Sequence, residues 1–306
     1  MNVHDWALVI FTILAQMSVG SFVALGIVYS YANRKAGPNE ADLMCDLALW
    51  PIGGILILGM LASLLHLGNP LNAYRAVFNI GSSWLSMEIA SGVLFAAFGA
   101  LFTLMQWRKI GSFAMRNVVA WIAALIGLWL VYSMSQVYML RTVPTWDVWT
   151  TPVTFFTTTL LLGVLAIGTV FAANYTLLQR RNSAHTDVQA GLLRNTLRGV
   201  SVAAVLLLGI EFVIIPMHYA VLAAGSPVTV AAVSNLMSES GLLLGLRLAL
   251  VFIGAGFLAV FGYRYTFRPG HEGSLGVLVY VAFALVLVAE VLGRVLFYAS
   301  YANIGL

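Results

Sequence analysis

The chain has 306 residues, 61% hydrophobic and only 8% charged, with a net charge of +4 and a mean hydropathy of +0.95. A soluble domain carries about 25% charged residues, so this composition excludes a water-soluble enzyme and makes the basic excess a matter of membrane topology, not of nucleic acid. The single cysteine, Cys45, leaves no internal disulfide, four-thiolate zinc site or iron–sulfur cluster within the chain.

Eight apolar segments, each long enough to cross a bilayer as a helix, are predicted in order: Trp6–Tyr31, Leu43–Leu65, Trp84–Trp107, Val118–Leu140, Val153–Leu178, Val200–Leu222, Leu242–Phe261 and Leu275–Tyr298. Their apolar residues do not alternate, which excludes an outer-membrane barrel. The first segment follows Met-Asn-Val-His-Asp-Trp, which has no basic start. It is read as a retained span, not a signal peptide. Trp6, Tyr31, Trp84, Trp107, Trp146, Trp149 and Tyr298 lie near segment ends, as an interfacial belt requires. The expected architecture is an all-α polytopic membrane protein, one integral-membrane domain over residues 1–306.

The loops alternate in charge. Arg34, Lys35, Arg108, Lys109, Arg116, Arg180, Arg181, Arg194, Arg198, Arg264 and Arg268 all fall on odd-numbered loops or their flanks. The even loops hold only Arg75 and Arg141, and Arg247 and Arg294 lie within spans. The positive-inside rule then places both termini and the even loops outside.

The outer loop after the second span carries the polar groups of most interest. His66 ends that span. Asn69 and Arg75 follow, and Glu88 lies one turn into the next span with Ser86 beside it. A carboxylate within hydrocarbon needs protein, water or a partner. A quinol headgroup needs hydrogen bonds to two hydroxyls and acceptors for their protons, and a histidine with a carboxylate supplies both. The competing reading makes His66 a cap of its own helix and leaves Glu88 bonded to neighbouring backbone or serine. Arg75 and Arg141 either hold a quinone oxygen or are solvated loop groups. Tyr132, Ser133, Ser135 and Tyr138 form a polar run on the fourth span that either lines the same cavity or cements helix contacts. Glu290 and Arg294 are spaced to pair on one helix face, and Glu211 is placed to pair with Arg247 or to relay protons. Asp147, His4, His185 and His271 read as solvated loop groups.

A weak repeat relates His66 and Glu88 to His218 and Glu239 at nearly equal spacing, four spans apart. It suggests two parallel four-helix units, 1–151 and 152–306. Only His66 and His218 lie in or near spans, both toward the outer side, too few for a two-haem ladder. Without a haem wire, electrons leave beside the quinol site, so an iron–sulfur partner is expected to dock on the same outer face. A secondary transporter is the competing class, given the buried carboxylates, the repeat and the Pro51-Ile-Gly-Gly and Ile215-Pro216 interruptions.

Four stretches carry a resemblance across nearly the whole sequence: His66-Leu-Gly-Asn-Pro-Leu-Asn-Ala-Tyr-Arg75, Glu88-Ile-Ala-Ser-Gly92, Tyr138-Met-Leu-Arg-Thr-Val-Pro144 with Trp146, and Glu290-Val-Leu-Gly-Arg-Val-Leu-Phe-Tyr298. With these the sequence resembles the membrane anchor subunit of the dimethyl sulfoxide reductase family, the DmsC family. The resemblance implies an eight-helix subunit of the bacterial cytoplasmic (inner) membrane with no haem or iron–sulfur cluster of its own. Such a subunit takes menaquinol or ubiquinol from the quinone pool and anchors a four-cluster iron–sulfur subunit carrying [4Fe-4S] clusters. That partner in turn wires to a catalytic subunit with a molybdenum bis(pyranopterin) cofactor. The family's quinol-site histidine and glutamate fall on His66 and Glu88, and Arg75 carries over as a neighbouring motif residue. The expected role is oxidation of quinol for reduction of an S- or N-oxide. The alternative within the same architecture is a quinone-reducing anchor of a sulfite-oxidising complex.

Overall fold

The computed structural model describes residues 3–66, 74–75, 78–181, 184–262 and 272–304. Nine α-helices form within them: α1 (Val3–Ala36), α2 (Pro38–Cys45), α3 (Leu49–His66), α4 (Trp84–Trp107), α5 (Phe113–Tyr138), α6 (Thr150–Arg180), α7 (Thr186–Ala223), α8 (Pro227–Phe257) and α9 (Glu272–Ala299). A 3-10 turn joins α2 to α3, and a π-helical turn over Leu258–Gly262 extends α8. There is no strand among the described residues. Eight helical stretches are long and apolar enough to cross a membrane, with α2 and α3 sharing one of them. Asn69, the loop bases Arg264 and Arg268, His271, and the side chains of His4 and His66 lie outside the described residues.

The third span starts and stops where the sequence predicts, at Trp84 and Trp107. The sixth and seventh begin much earlier than predicted. Ahead of Val200, α7 already buries Gln189, Leu192, Leu193, Thr196 and Leu197 at helical spacing. Its polar residues on the other faces hide that turn pattern from an apolar window. The gap between the predicted spans ending at Leu222 and starting at Leu242 shrinks to Ala224–Ser226. Ser226 caps α8 through Thr229 N at 3.4 Å, and Pro227 takes the first helical position, where its missing N–H costs nothing.

The helices sort into two sets. In one, α1 packs on α3 and α5, and α4 on α5; in the other, α6 packs on α7 and α9, and α8 on α7 and α9. The sets meet along α1 and α6, the two most enclosed spans. A Cβ at Gly20 would fall 1.8 Å from the Thr159 carbonyl oxygen, and one at Gly163 would fall 2.0 Å from the Gly20 carbonyl carbon. The two backbones therefore touch, as small residues permit in lipid, where no hydrophobic effect draws helices together. Beside this crossing Gln16 Nε2 donates to the Phe155 carbonyl at 2.9 Å.

The end of the bundle that carries the basic loops is stitched by α2. Asp42 accepts from Tyr29 (2.8 Å) and Gln106 (2.7 Å) and pairs with Lys109 and Arg116. Asn174 Nδ2 donates to the Leu43 and Met44 carbonyls at 3.1 Å, satisfying groups freed where α2 gives way to the 3-10 turn. His185 and Asp147 are exposed, as expected, and His185 also pairs with Glu40. At the opposite end, Trp146 stacks on Phe297 (centroids 5.1 Å apart, 13° between planes) and its Nε1 donates to the Phe297 carbonyl. Ile304 N bonds the Thr142 carbonyl. The segment after α5 is thereby pinned across the ends of α6 and α9.

Candidate functional site

The site grows from a packing difference between the two sets. The helices α7 and α8 pack against each other, while α3 and α4 touch only sparsely. Their splay opens a cavity of about 400 Å³ floored by Phe11 and Ala15 of α1 and Leu130 of α5. Leu56, Met60 and Ser63 of α3 form one wall, and Leu85, Glu88 and Gly92 of α4 form the other. On the lipid side, Ile57 and Leu61 of α3 and Val93 of α4 line it and are themselves exposed. The gap faces hydrocarbon, not water.

Glu88 is the one ionisable group on this lining among the described residues. It lies four residues into α4, about 6 Å along the axis from Trp84. Its carboxyl has no hydrogen-bond partner among the described residues. The bonding of Glu88 to neighbouring serine does not occur: Ser91 bonds the Met87 and Glu88 carbonyls of its own helix. A lone carboxyl on an apolar wall can accept one proton and one hydrogen bond from a ligand that arrives through lipid. Ser63 stands across the gap, its hydroxyl turned to the Met60 carbonyl at 2.8 Å.

The other candidates are more scattered than the sequence suggests. The last residue of α3, at the bundle end where α4 begins, is His66. Arg75 is exposed, its Nε 3.4 Å from the hydroxyl of Tyr74. Arg141 is exposed on the segment after α5. The polar run on α5 does not line the cavity. Ser133 and Ser135 are buried and bond the Trp129 and Tyr132 carbonyls within their own helix. Tyr132 packs edge-on against Trp84 at 5.6 Å. The face that α5 turns to the cavity is Leu130.

Residues 1–300 match the family described as DMSO reductase anchor subunit (DmsC). The protein belongs to the DmsC family. It is 30% identical over 305 residues to the C subunit of the anaerobic dimethyl sulfoxide reductase of Escherichia coli, covering 99% of this sequence and 97% of that one. It is 31% identical to the YnfH subunit of an anaerobic dimethyl sulfoxide reductase of the same species, and 29% identical to the C subunit of the Haemophilus influenzae enzyme, with 97% and 98% of those sequences covered. Among solved structures it superposes on a polypeptide of bd oxidase from Geobacillus thermodenitrificans with a TM-score of 0.64, over 97% of this protein and 85% of that one. At 12% identity that likeness is one of fold. With eight spans and bacterial relatives, this DmsC-family member is a multi-pass protein of the bacterial inner membrane.

A second polar region in this family member lies apart from the cavity. Glu211 and Arg247 form the buried ion pair the sequence suggests. Glu290 and Arg294, expected to pair with each other, do not. Glu290 Oε2 accepts from Thr158 Oγ1 at 2.7 Å. Arg294 Nη2 donates to Gln16 Oε1 at 2.7 Å, with its guanidinium 3.9 Å from the Phe155 ring centroid. The helical spacing made a pair geometrically available, but neighbouring helices offered each group a better-directed partner. Sequence reasoning missed Gln16 and Thr158; the signal available was a lone amide in the middle of the first apolar span. Among the described residues, no three His, Cys, Asp or Glu side chains converge as a metal site.

Proposed function

We propose that this protein is the membrane anchor and quinol-oxidising subunit of a respiratory molybdoenzyme complex, and that menaquinol or ubiquinol binds in the cavity between α3 and α4. The observation that carries this reading is a lipid-facing apolar cavity of about 400 Å³ with Glu88 as its ionisable group. The apolar walls suit an isoprenoid tail, and Glu88 suits a hydroxyl whose proton must leave as electrons do. His66 closes α3 at the same end and is the second proposed ligand of the headgroup, with Arg75 beside it. Tyr132, Ser135 and Arg141 act indirectly, through the helix and the segment that back the walls.

Two electrons pass from bound quinol to the nearest [4Fe-4S] cluster of a four-cluster iron–sulfur subunit docked on the outer face. They go on to a molybdenum bis(pyranopterin) subunit that reduces an S- or N-oxide. The full-length similarity to subunits of dimethyl sulfoxide reductases supports this assignment of partners. Both protons are released outward, so oxidation on that side moves no charge across the membrane.

The test uses the assembled complex. Glu88→Gln is expected to lower the rate of quinol-linked cluster reduction by ~10²–10³-fold while the iron–sulfur subunit still co-purifies. Turnover at the wild-type rate in Glu88→Gln and in His66→Arg would remove both residues from the site. Net reduction of quinone on adding sulfite would reverse the direction of flow while keeping the site.

A further inference from the structure

A second trough on the lipid-facing surface crosses the seam between the two sets of helices, toward the basic end of the bundle. It lies between α1 and α7, which touch only sparsely, with α6 as its floor. Ile27 and Tyr31 of α1, Val164 and Ile167 of α6, and Gly199 and Ala203 of α7 border a space of about 370 Å³. Ile27 and Gly199 are exposed at its rim, so it opens sideways into lipid.

The walls change character along the helix axes. On α1 the lining runs at helical spacing from Ala24 through Val28 to Tyr31, about 10 Å. On α7 it runs from Ala203 back to Asn195, about 12 Å. Both lengths fit within one leaflet, half of a ~30 Å hydrocarbon core. The deep part is apolar, and the part nearest the basic end holds Tyr31, Asn195 and Thr196. Thr196 is 5% exposed, yet its Oγ1 has no hydrogen-bond partner. A helical threonine commonly returns its hydroxyl to the carbonyl one turn back, as Thr157, Thr159 and Thr169 do in α6. In the trough wall, the Thr196 hydroxyl is left for something else.

One turn beyond Tyr31, α1 carries Arg34 and Lys35 in its last turn. Both are exposed, and neither has an ion-pair partner among the described residues. Glu40, the acid that α2 brings to the start of α7, is taken up by His185 and by Gln189 Nε2 at 2.8 Å. Two uncompensated cations thus stand at the mouth, followed by neutral hydrogen-bonding groups and then an apolar slot one leaflet deep.

We infer that this trough holds a phospholipid of the cytoplasmic leaflet with an anionic headgroup. Its phosphate meets Arg34 and Lys35, an ester oxygen accepts from Thr196 Oγ1, and one acyl chain lies along Val164 and Ile167. The lining offers no His, Asp or Glu to take a proton, which disfavours quinol as the occupant. The lipid bridges α1 to α7 where protein contacts are sparse, so its binding stabilises the joined sets. Nothing in this site depends on the role of Glu88.

The test adds phosphatidylglycerol or phosphatidylcholine to the delipidated complex in detergent. Native mass spectrometry counts the lipids retained, and the melting temperature is followed in parallel. Wild type is expected to hold one phosphatidylglycerol at least ~10-fold more tightly than phosphatidylcholine and to melt at a higher temperature with it. The double variant Arg34→Gln, Lys35→Gln changes exposed side chains only and is expected to lose that preference and the added stability. In Gly199→Phe the new side chain enters open space, since a Cβ there meets nothing within 4 Å. The number of tightly held lipids is expected to fall by one. Retention and stabilisation at wild-type levels in both variants overturn the site. Equal retention of the two lipids by wild type overturns an anionic occupant. Displacement of the lipid by a quinol analogue, with loss of bound quinone in Gly199→Phe, makes the trough a second quinone site and overturns the lipid.

Discussion

A guanidinium inside a bilayer survives only while its partners are in place, and Arg247 shows what that demands of its surroundings. It needs Glu211 across the α7–α8 contact and a glycine at 293 to lie against. Arg247→Met is expected to destabilise the purified subunit by about 3–5 kcal/mol, because Glu211 is left charged and alone. Adding Glu211→Met should recover much of that loss, and thermal unfolding in detergent of the single and double variants measures it. Wild-type stability in the single variant would mean the pair is not formed. The cavity allows a cleaner residue-scale test of its own. A Cβ at Gly92 meets only Leu130 Cδ1, at 3.8 Å, so Gly92→Phe is expected to fill the space without moving a helix. Quinol-analogue affinity should drop at least ~10-fold while the melting temperature and assembly stay put; undiminished binding would place the quinol elsewhere. At this scale the sequence was informative about which residues are costly and poor on how they are used. Glu88, Glu211, Arg247, Glu290 and Arg294 all stand out as charges in apolar spans. That Glu290 and Arg294 do not pair with each other depends on Thr158 and Gln16, distant in sequence, and no local spacing encodes it.

Helix contacts in lipid rest on shape, and the crossing of α1 with α6 is the tightest. Gly20 and Gly163 put two backbones in contact there, with no space for a methyl group on either side. Gly20→Ala and Gly163→Ala are each expected to cost about 1–3 kcal/mol. They should lower the steady-state amount of the protein in membranes, because the two sets of helices are held together mainly at this seam. Gly53 is the control: nothing lies within 4 Å of a Cβ added there, and Gly53→Ala should leave amount and melting temperature unchanged. Equal behaviour of all three variants would show that the crossing is looser than the structure has it. Hydropathy made the existence and order of the spans legible, since a bilayer imposes their length. It could not show where α7 and α8 begin, because Thr186–Gly199 and Pro227–Gly241 are amphipathic stretches whose buried faces are set by neighbours. Nor could it show the splay of α3 from α4. That gap is a property of pairs of helices, and it is what creates the site.

Across the whole molecule, sidedness decides on which face the proposed site lies and on which face an iron–sulfur partner would dock. The basic residues Arg34, Lys35, Arg108, Lys109, Arg180 and Arg181 all sit at one end of the bundle, and Glu88 and the end of α3 at the other. The acids Asp42 and Asp46 pair with Lys109 at the basic end, which lowers the net charge there. Orientation follows the number of Lys and Arg near the span ends, and acids contribute little to it, so this pairing leaves the expected topology intact. Both termini and the Glu88 end are then outside. A periplasm-dependent phosphatase joined after Leu306, or inserted in the Ala224–Ser226 turn, is expected to be active; the same enzyme joined after Arg181 should be silent. Replacing Arg108 and Lys109 by Gln should weaken this asymmetry only slightly, because Arg34, Lys35 and Arg116 remain on the same side of the first half. Activity of the Arg181 fusion together with silence of the Leu306 fusion would turn the protein over. The cavity beside Glu88 would then open toward the cytoplasmic leaflet, and on the proposed reading the iron–sulfur partner would dock there and the protons of each quinol would be released on the cytoplasmic side.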